Sequence, residues 1–193
     1  MTVFADFLDL RTAVIEQVGR PDIADVIPRL TLMAEADFNR ELRLREQINK
    51  TTLTLASGSV ALPTDFVEMI GVFTEAGVEY VQQSQQAAKL NQCYYAVDGT
   101  NLTLHGTDTD VLVDYYASVP TLTTSMTTTN WMLAKYPMIY LYGVSLEAAK
   151  YMRDRELVGD MASLLSDAIN KAKVDDERAR YSRARVRVQG VTP

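Results

Sequence analysis

Residues 94–104, with the sequence YYAVDGTNLTL, are typical of a tight β-hairpin. Asp98-Gly99 supplies the positive φ values that short hairpin turns require, and aromatic and β-branched residues lie on both sides of it. Apolar residues continue at every second position outward from this hairpin, over residues 50–118. This middle third of the chain is therefore predicted to be rich in β-strands.

Two more hairpins and one further strand are predicted within this region. Turn residues occur at Ser57-Gly58 and at 75–77, each between short apolar runs. Residues 111–116 predict another strand, and the loss of the β pattern over 82–90 indicates a short helix.

Helical patterns flank the β-rich region on both sides. Gly19 and Pro21 separate the first two helices, and Pro28 is expected near the start of the second. Residues 118–130 are rich in threonine and predict a linker, after which Asn130 can cap a helical turn and Pro137 can open a helix. The apolar stripes comprise Phe4, Phe7, Leu8, Val14, Ile15 and Val18; Ile23, Ile27, Leu30, Ala34 and Phe38; Tyr140, Val144, Ala148 and Tyr151; and Leu157, Met161, Leu164, Ala168, Ala172 and Asp175.

The order of these patterns predicts an α+β protein with an inserted domain. Residues 1–49 and 119–181 would form a four-helix body, and residues 50–118 a β-rich domain between its second and third helices. Residues 182–193 would form an extended C-terminal arm. With 193 residues, 47% of them hydrophobic, the chain is long enough to build a core without disulfides or metals.

The overall charge and the single cysteine limit the classes of function. A net charge of −6 opposes general binding to nucleic acid or to an anionic membrane. Cys93 is the only cysteine, so no internal disulfide is available and a reducing compartment is expected. We also expect no signal peptide and no membrane span, because the N-terminus lacks a basic region and no apolar stretch approaches about 18 residues.

No common catalytic motif occurs in the sequence. Patterns for phosphate loops, dinucleotide binding, zinc ligation and acyl transfer are absent. His105 is expected to be structural or solvated, because as a general base it would need a nucleophile within hydrogen-bond reach. Cys93 is expected to be a small buried apolar residue, because only Lys89 among basic residues lies near it in sequence. We therefore predict that the chain is not an enzyme and holds no cofactor and no metal.

Pairs of acidic and of aromatic residues have simple structural explanations. Glu35 and Asp37 lie among arginines on a helix, which favours a solvated face with ion pairs one turn apart. Asp108 and Asp110 belong to a turn, where aspartate bonds to its own backbone. The pairs Tyr94-Tyr95 and Tyr115-Tyr116 are each expected to place one ring in the core and one at the surface.

The C-terminal end has an unusual charge pattern. No acidic residue follows Arg178, whereas arginines recur and alternate with valines in a strand-like manner. The sequence leaves two interpretations open, a solvated tail or an arm that docks on a partner's sheet edge. The candidate partner-binding residues are Arg178, Arg180, Arg183, Arg185, Val186, Arg187 and Val188.

Several segments, in this order, resemble the head-to-tail adaptor (connector, or head-completion) proteins of tailed bacteriophages. None of them is a catalytic signature, and their order along most of the chain carries the resemblance. They are Gly19-Arg20-Pro21-Asp22, the stretch AEADFNRELR at 34–43, Leu62-Pro63-Thr64-Asp65-Phe66, Tyr115-Tyr116 leading to Val119-Pro120-Thr121-Leu122, and Asn130-Trp131-Met132-Leu133 followed by Tyr136-Pro137.

The resemblance implies a structural protein of the virion neck, assembled in the host cytoplasm. It implies a ring of about twelve copies with cyclic closure, which binds the portal protein, extends the DNA channel and receives a tail or nozzle protein. Genomic DNA would pass through without sequence-specific binding. By the same resemblance the C-terminal segment reaches the portal. Alternatives are another neck or tail-completion protein and, from a different class, a cell-wall-degrading virion enzyme.

Overall fold

The structure is a computed structural model, and it describes residues 2–88, 93–105 and 110–181. The predicted α+β class is confirmed, and two short helices of the described residues lie where the sequence predicts a short helix over 82–90 and a capped turn after Asn130. In the described part of the chain the helices are α1 (Phe7–Val18), α2 (Ile27–Glu41), α3 (Gln85–Ala88), α4 (Trp131–Lys135), α5 (Pro137–Met152) and α6 (Arg155–Tyr181), and the strands are β1 (Ile48–Thr54), β2 (Ser59–Ala61), β3 (Phe66–Thr74), β4 (Val81–Gln82), β5 (Tyr94–Asp98), β6 (Asn101–Leu104) and β7 (Asp110–Ala117).

The described residues divide into two compact units. One contains the residues before Glu46 and after Ser118, and we call it the helical unit. The other, which we call the β unit, is Glu46–Ser118. Each unit has its own apolar core.

The helical unit is built around α5. Helices α1, α2, α4 and α6 all pack on α5, which agrees with its almost all-round apolar sequence. Tyr140, Val144 and Ala148 are buried as predicted, whereas Tyr151 is exposed. The other fully buried large side chains of this core include Phe7, Leu10, Ile27, Leu42, Leu44, Leu122, Met132, Leu133 and Ile139.

Two predicted apolar stripes are shifted around their helices. In α1 the buried residues are Phe7, Leu10 and Val14, which recur at steps of three and four residues, so Leu10 and not the exposed Leu8 lies on the buried face. In α6, Leu164 is exposed and the buried positions are Met161, Ile169, Ala172 and Asp176. The stripe therefore includes Asp176 in place of the predicted Asp175.

The predicted helix boundaries in the first third of the chain are confirmed. Gly19 adopts a left-handed conformation (φ +69°) and its N–H donates to the carbonyl of Ile15 at 2.9 Å, which ends α1. A single turn of 3₁₀ helix follows at Pro21–Ile23, and Pro28 lies in the first turn of α2. Arg20 and Asp22 form an exposed, bidentate ion pair between α1 and α2, with N–O distances of 2.8 and 2.7 Å.

The β unit contains two sheets. Strands β1, β7 and β3 form an antiparallel sheet in that order, and β2, β6, β5 and β4 form the second, in which only β4 and β5 run parallel. The predicted hairpin of β5 and β6 is confirmed, with Asp98 opposite Asn101 and Gly99 at φ +58°. As predicted, Tyr95 and Tyr115 are buried while their neighbours Tyr94 and Tyr116 are partly exposed.

Of the two other predicted hairpins, the one at Ser57-Gly58 is wrong in its pairing, and the one around 75–77 is confirmed next to its turn. Ser57 (φ +54°) and Gly58 (φ +77°) do form a tight turn, but beyond the single bridge from Ala56 to Ser59 the chain diverges. Strand β1 pairs with β7, and β2 pairs with β6 in the other sheet. Across the turn at 75–77 the N–H of Thr74 donates to the carbonyl of Val78 and the N–H of Tyr80 to the carbonyl of Val72, each at 2.8 Å, and Phe73 bridges Glu79 before β4 joins β5.

Two helix glycines provide a matched test of core packing. A methyl group added at Gly143 of α5 would lie 2.7 Å from Cε1 of Phe38, and that ring is buried edge-on against Tyr140. At Gly159 of α6 nothing lies within 4 Å. Gly143→Ala should therefore destabilise the helical unit by about 1–3 kcal/mol through overpacking.

The same change at Gly159 should stabilise the protein by up to about 1 kcal/mol through helix propensity. Urea unfolding followed by far-UV circular dichroism measures both. Equal effects of the two substitutions would contradict the tight packing of α2 against α5.

Candidate functional site

The segment that follows β7 is held against the helical unit by a buried carboxylate. Glu35 of α2 is 4% exposed. Its Oε1 accepts a hydrogen bond from the N–H of Leu122 at 2.9 Å and another from the hydroxyl of Tyr140 at 3.1 Å. Glu35 thus joins α2, α5 and the linker at one point.

Two asparagines hold the same segment at further points. The Oδ1 of Asn39 accepts from the N–H of Val119 at 2.7 Å. The Nδ2 of Asn130 donates to the carbonyl of Pro120 at 2.5 Å and to the Tyr140 hydroxyl at 2.8 Å, while its Oδ1 caps α4 by accepting from the N–H of Leu133 at 2.8 Å. We call Glu35, Asn39, Asn130 and Tyr140 the linker clamp.

Burial sets the protonation behaviour of the linker clamp. Burial raises the pKa of the Glu35 carboxyl, and the hydrogen bonds from Leu122, Thr121 and Tyr140 oppose that rise. Burial, and then the nearby Glu35 carboxylate, raise the pKa of Tyr140, so its hydroxyl remains a donor. A buried acid with a raised pKa can indicate catalysis, but here both groups are bonded to the chain's own backbone and side chains.

The sequence prediction for Glu35 is wrong. We expected a solvated carboxylate paired with arginines one turn away, and the structure places it in the core. Its neighbour Asp37 does behave as expected: it is exposed and lies 3.3 Å from Arg40. The clamp partners are 87 and 105 residues distant from Glu35 in sequence, so helix periodicity alone cannot identify them.

The raised pKa of Glu35 leads to a pH-dependent stability. Since the pKa of Glu35 is higher in the folded state than in the unfolded state, the protonated carboxyl favours folding. Its contribution to the free energy of unfolding is fully present below about pH 4.3, the unfolded-state pKa, and is lost as the pH rises through the raised folded-state pKa. Glu35→Gln cannot ionise. The stability of the wild type relative to this variant should therefore fall as the pH is raised from 4 towards 7.

Urea unfolding of both proteins at each pH measures this difference. Glu16→Gln, which removes an exposed carboxylate from α1, provides the matched control and should show a smaller pH-dependent difference. A difference between the wild type and Glu35→Gln that stays constant with pH would contradict the buried, ionisable state of Glu35.

A second hydrogen-bonded group lies within the β unit. The hydroxyl of Tyr115 donates to Oδ1 of Asp65 at 3.0 Å, and Nδ2 of Asn49 donates to the Tyr115 oxygen at 3.2 Å. Burial and the Asp65 contact raise the pKa of Tyr115. Both Asp65 and Tyr115 belong to segments that carry the resemblance stated above, as do Glu35, Asn39 and Asn130 of the linker clamp.

The other residues considered for catalysis lie at exposed or strand positions where the structure describes them. His105 is exposed, and Cys93 is also exposed, so the prediction of a buried cysteine is wrong. Asp110 begins β7, and Asp108 lies outside the described residues. Within the described ranges no cluster of His, Cys, Asp and Glu could hold a metal ion, and no described helix is long and apolar enough to cross a membrane.

The C-terminal end of α6 is fixed by a buried aspartate. Asp176 accepts from the N–H of Arg45 at 3.0 Å and from Nε of Arg180 at 2.7 Å. Arg180 also donates through Nη2 to the carbonyl of Arg43 at 3.2 Å. These contacts hold the last turns of α6 to the corner that follows α2.

The predicted partner-binding residues fall into two groups. Arg178 and Arg180 lie in the last turn of α6, where Arg178 is 3.8 Å from Asp175 and Arg180 is bonded to Asp176. The other five, Arg183, Arg185, Val186, Arg187 and Val188, lie outside the described residues.

Comparison with known proteins gives one result at the level of the family. No curated protein matches the chain. The family model described as SU10 adaptor protein matches residues 5–189, which includes both units and every residue of the linker clamp. The match covers nearly the whole chain and confirms the resemblance to phage head-to-tail adaptors. The chain therefore belongs to the SU10 adaptor protein family, a family of structural proteins of bacteriophages.

Proposed function

We propose that this protein is a head-to-tail adaptor that forms a ring below the portal of the virion. The ring contains about twelve copies related by cyclic symmetry, extends the DNA channel and receives a tail or nozzle protein. The observation that carries the proposal is the family match over residues 5–189. The protein is assembled in the host cytoplasm and acts in the virion neck.

The linker clamp supports a structural role. An adaptor transmits contacts between the capsid and the tail, so its parts need fixed anchoring points. The chain leaves the β unit at Ser118 and is held at Val119, Pro120 and Leu122 within the next four residues. The buried acid that could have suggested catalysis is used for this anchoring, and the structural family supports a non-enzymatic role.

The charge of the protein supports passage of DNA without binding. A channel wall that held the phosphate backbone by many lysines and arginines would retard ejection. The net charge of −6 disfavours such retention. We propose that the arginines from Arg178 onward bind the portal instead, so that residues 178–193 form the portal-binding segment.

Native mass spectrometry and electron cryomicroscopy of the purified chain, alone and with the portal ring of the same phage, test this function. We expect a closed ring that seats on the portal. A tail-completion protein would bind the tail but leave the portal free, so a portal pull-down separates the two alternatives. A chain that stays monomeric and ignores the portal would contradict the adaptor function.

A further inference from the structure

An open apolar groove lies on the helical unit between the start of α5 and the middle of α6. Its volume is about 270 Å³. Met138, Ile139 and Tyr142 of α5 line it on one side, and Leu164 and Ala168 of α6 on the other. The charged residues among its lining are Lys135, Asp167, Lys171 and Asp175.

Two large apolar side chains stand exposed next to each other on α2. Leu32 is 47% exposed and Met33 is 50% exposed. They lie opposite the buried face of the helix, and charged residues flank them, with Arg29 one turn before and Asp37 one turn after. We call Leu32 and Met33 the α2 knob.

The groove and the α2 knob are distinct parts of one helical unit. Both α2 and α6 pack on α5. The residues that line the groove belong to the end of α4, to Tyr136, to α5 and to α6, and none of them is in α2. One copy therefore presents both surfaces at once, as a head-to-tail ring contact requires.

We propose that the α2 knob of one copy inserts into the groove of the next copy, and this inference rests on the proposed ring. The occupant is a second copy, because Arg29 and Asp37 beside the knob offer one cation and one anion to the groove. Asp167 can pair with Arg29, and Lys171 can replace Arg40, which lies 3.3 Å from Asp37 within one copy. An apolar centre with charged residues around it is the usual arrangement of a specific protein interface. Burial of Leu32, Met33 and Leu164 would remove three exposed apolar side chains from water.

Disulfide cross-linking of the full chain tests the contact. In a Cys93→Ser background, the double variant Met33→Cys with Leu164→Cys should give a ladder of covalent oligomers under mild oxidation. A mixture of the two single variants should give only dimers, because each chain then has one cysteine. The control pairs Met33→Cys with Val174→Cys, which is 43% exposed on α6 but does not line the groove, and it should give no ladder.

Charge substitutions test the same contact without cysteines. Leu32→Glu with Met33→Glu should weaken self-association at least tenfold in a light-scattering dilution series, whereas Leu8→Glu, at an exposed position of α1, should change it little. If rings form and neither the ladder nor the weakening is seen, this contact is wrong and the proposed ring stands. If the parent chain forms no ring alone or with the portal ring, the proposed function fails and this contact fails with it.

Discussion

Replacing Glu35 with alanine should destabilise the helical unit by about 2–4 kcal/mol. The substitution leaves the N–H of Leu122 and the hydroxyl of Tyr140 without their buried acceptor. Each unsatisfied buried group costs about 1–3 kcal/mol, and release of the desolvation cost of the carboxylate offsets part of the loss. The linker would then detach from α2 near Leu122.

Equilibrium urea unfolding and amide hydrogen exchange at Leu122 measure this effect. Asp37→Ala is the matched control, because it removes an exposed carboxylate from the same helix and should change stability by about 0.5 kcal/mol or less. Tyr140→Phe, combined with Glu35→Ala, should cost less than the sum of the two single changes, since both act on one network. Strict additivity would contradict the shared hydrogen bonds of the linker clamp.

Features set by neighbouring residues could be predicted from the sequence. Gly19 ends α1, Pro28 opens α2, Asn130 caps α4 and Asp98-Gly99 lies at the turn between β5 and β6, all as expected. In each case a property of the residue itself determines the local structure. The glycines accept a positive φ, proline lacks an N–H, and the asparagine side chain carries an oxygen near free backbone donors. No distant contact is needed to make these predictions.

Features set by distant residues could not be predicted. The turn at Ser57-Gly58 was identified, but β1 continues into a long pairing with β7, and this partner lies about 60 residues later in the chain. The prediction that Glu35 is solvated is wrong for the same reason, because the burial of Glu35 depends on Leu122 and Tyr140. The neighbours of Glu35 in sequence, Ala34 and Ala36, do not indicate which distant residues it contacts. The family resemblance did include the segments of Leu122 and of β7, although it did not indicate their contacts.

Deleting residues 182–193 should abolish attachment to the portal while leaving the described fold nearly intact. The contacts that anchor α6, made by Met161, Ile169, Ala172 and Asp176, all lie before the deletion. Arginine can grip a carboxylate through two parallel hydrogen bonds, and the valine alternation can add to a sheet edge. Deletion of the whole segment removes all of these contacts at once, so binding to the portal should be lost.

Reversal of two charges gives a finer test of the same segment. Arg185→Glu with Arg187→Glu should weaken portal binding in a salt-sensitive manner, because close ion pairs are screened as ionic strength rises. Arg40→Glu with Arg155→Glu is the matched control: both side chains are exposed on helices, and the change in net charge is the same. Surface plasmon resonance on immobilised portal rings at two salt concentrations measures binding, and thermal unfolding verifies the fold. Wild-type binding by the truncated chain, or equal losses in the two reversal variants, would exclude the C-terminal segment as the portal-binding element.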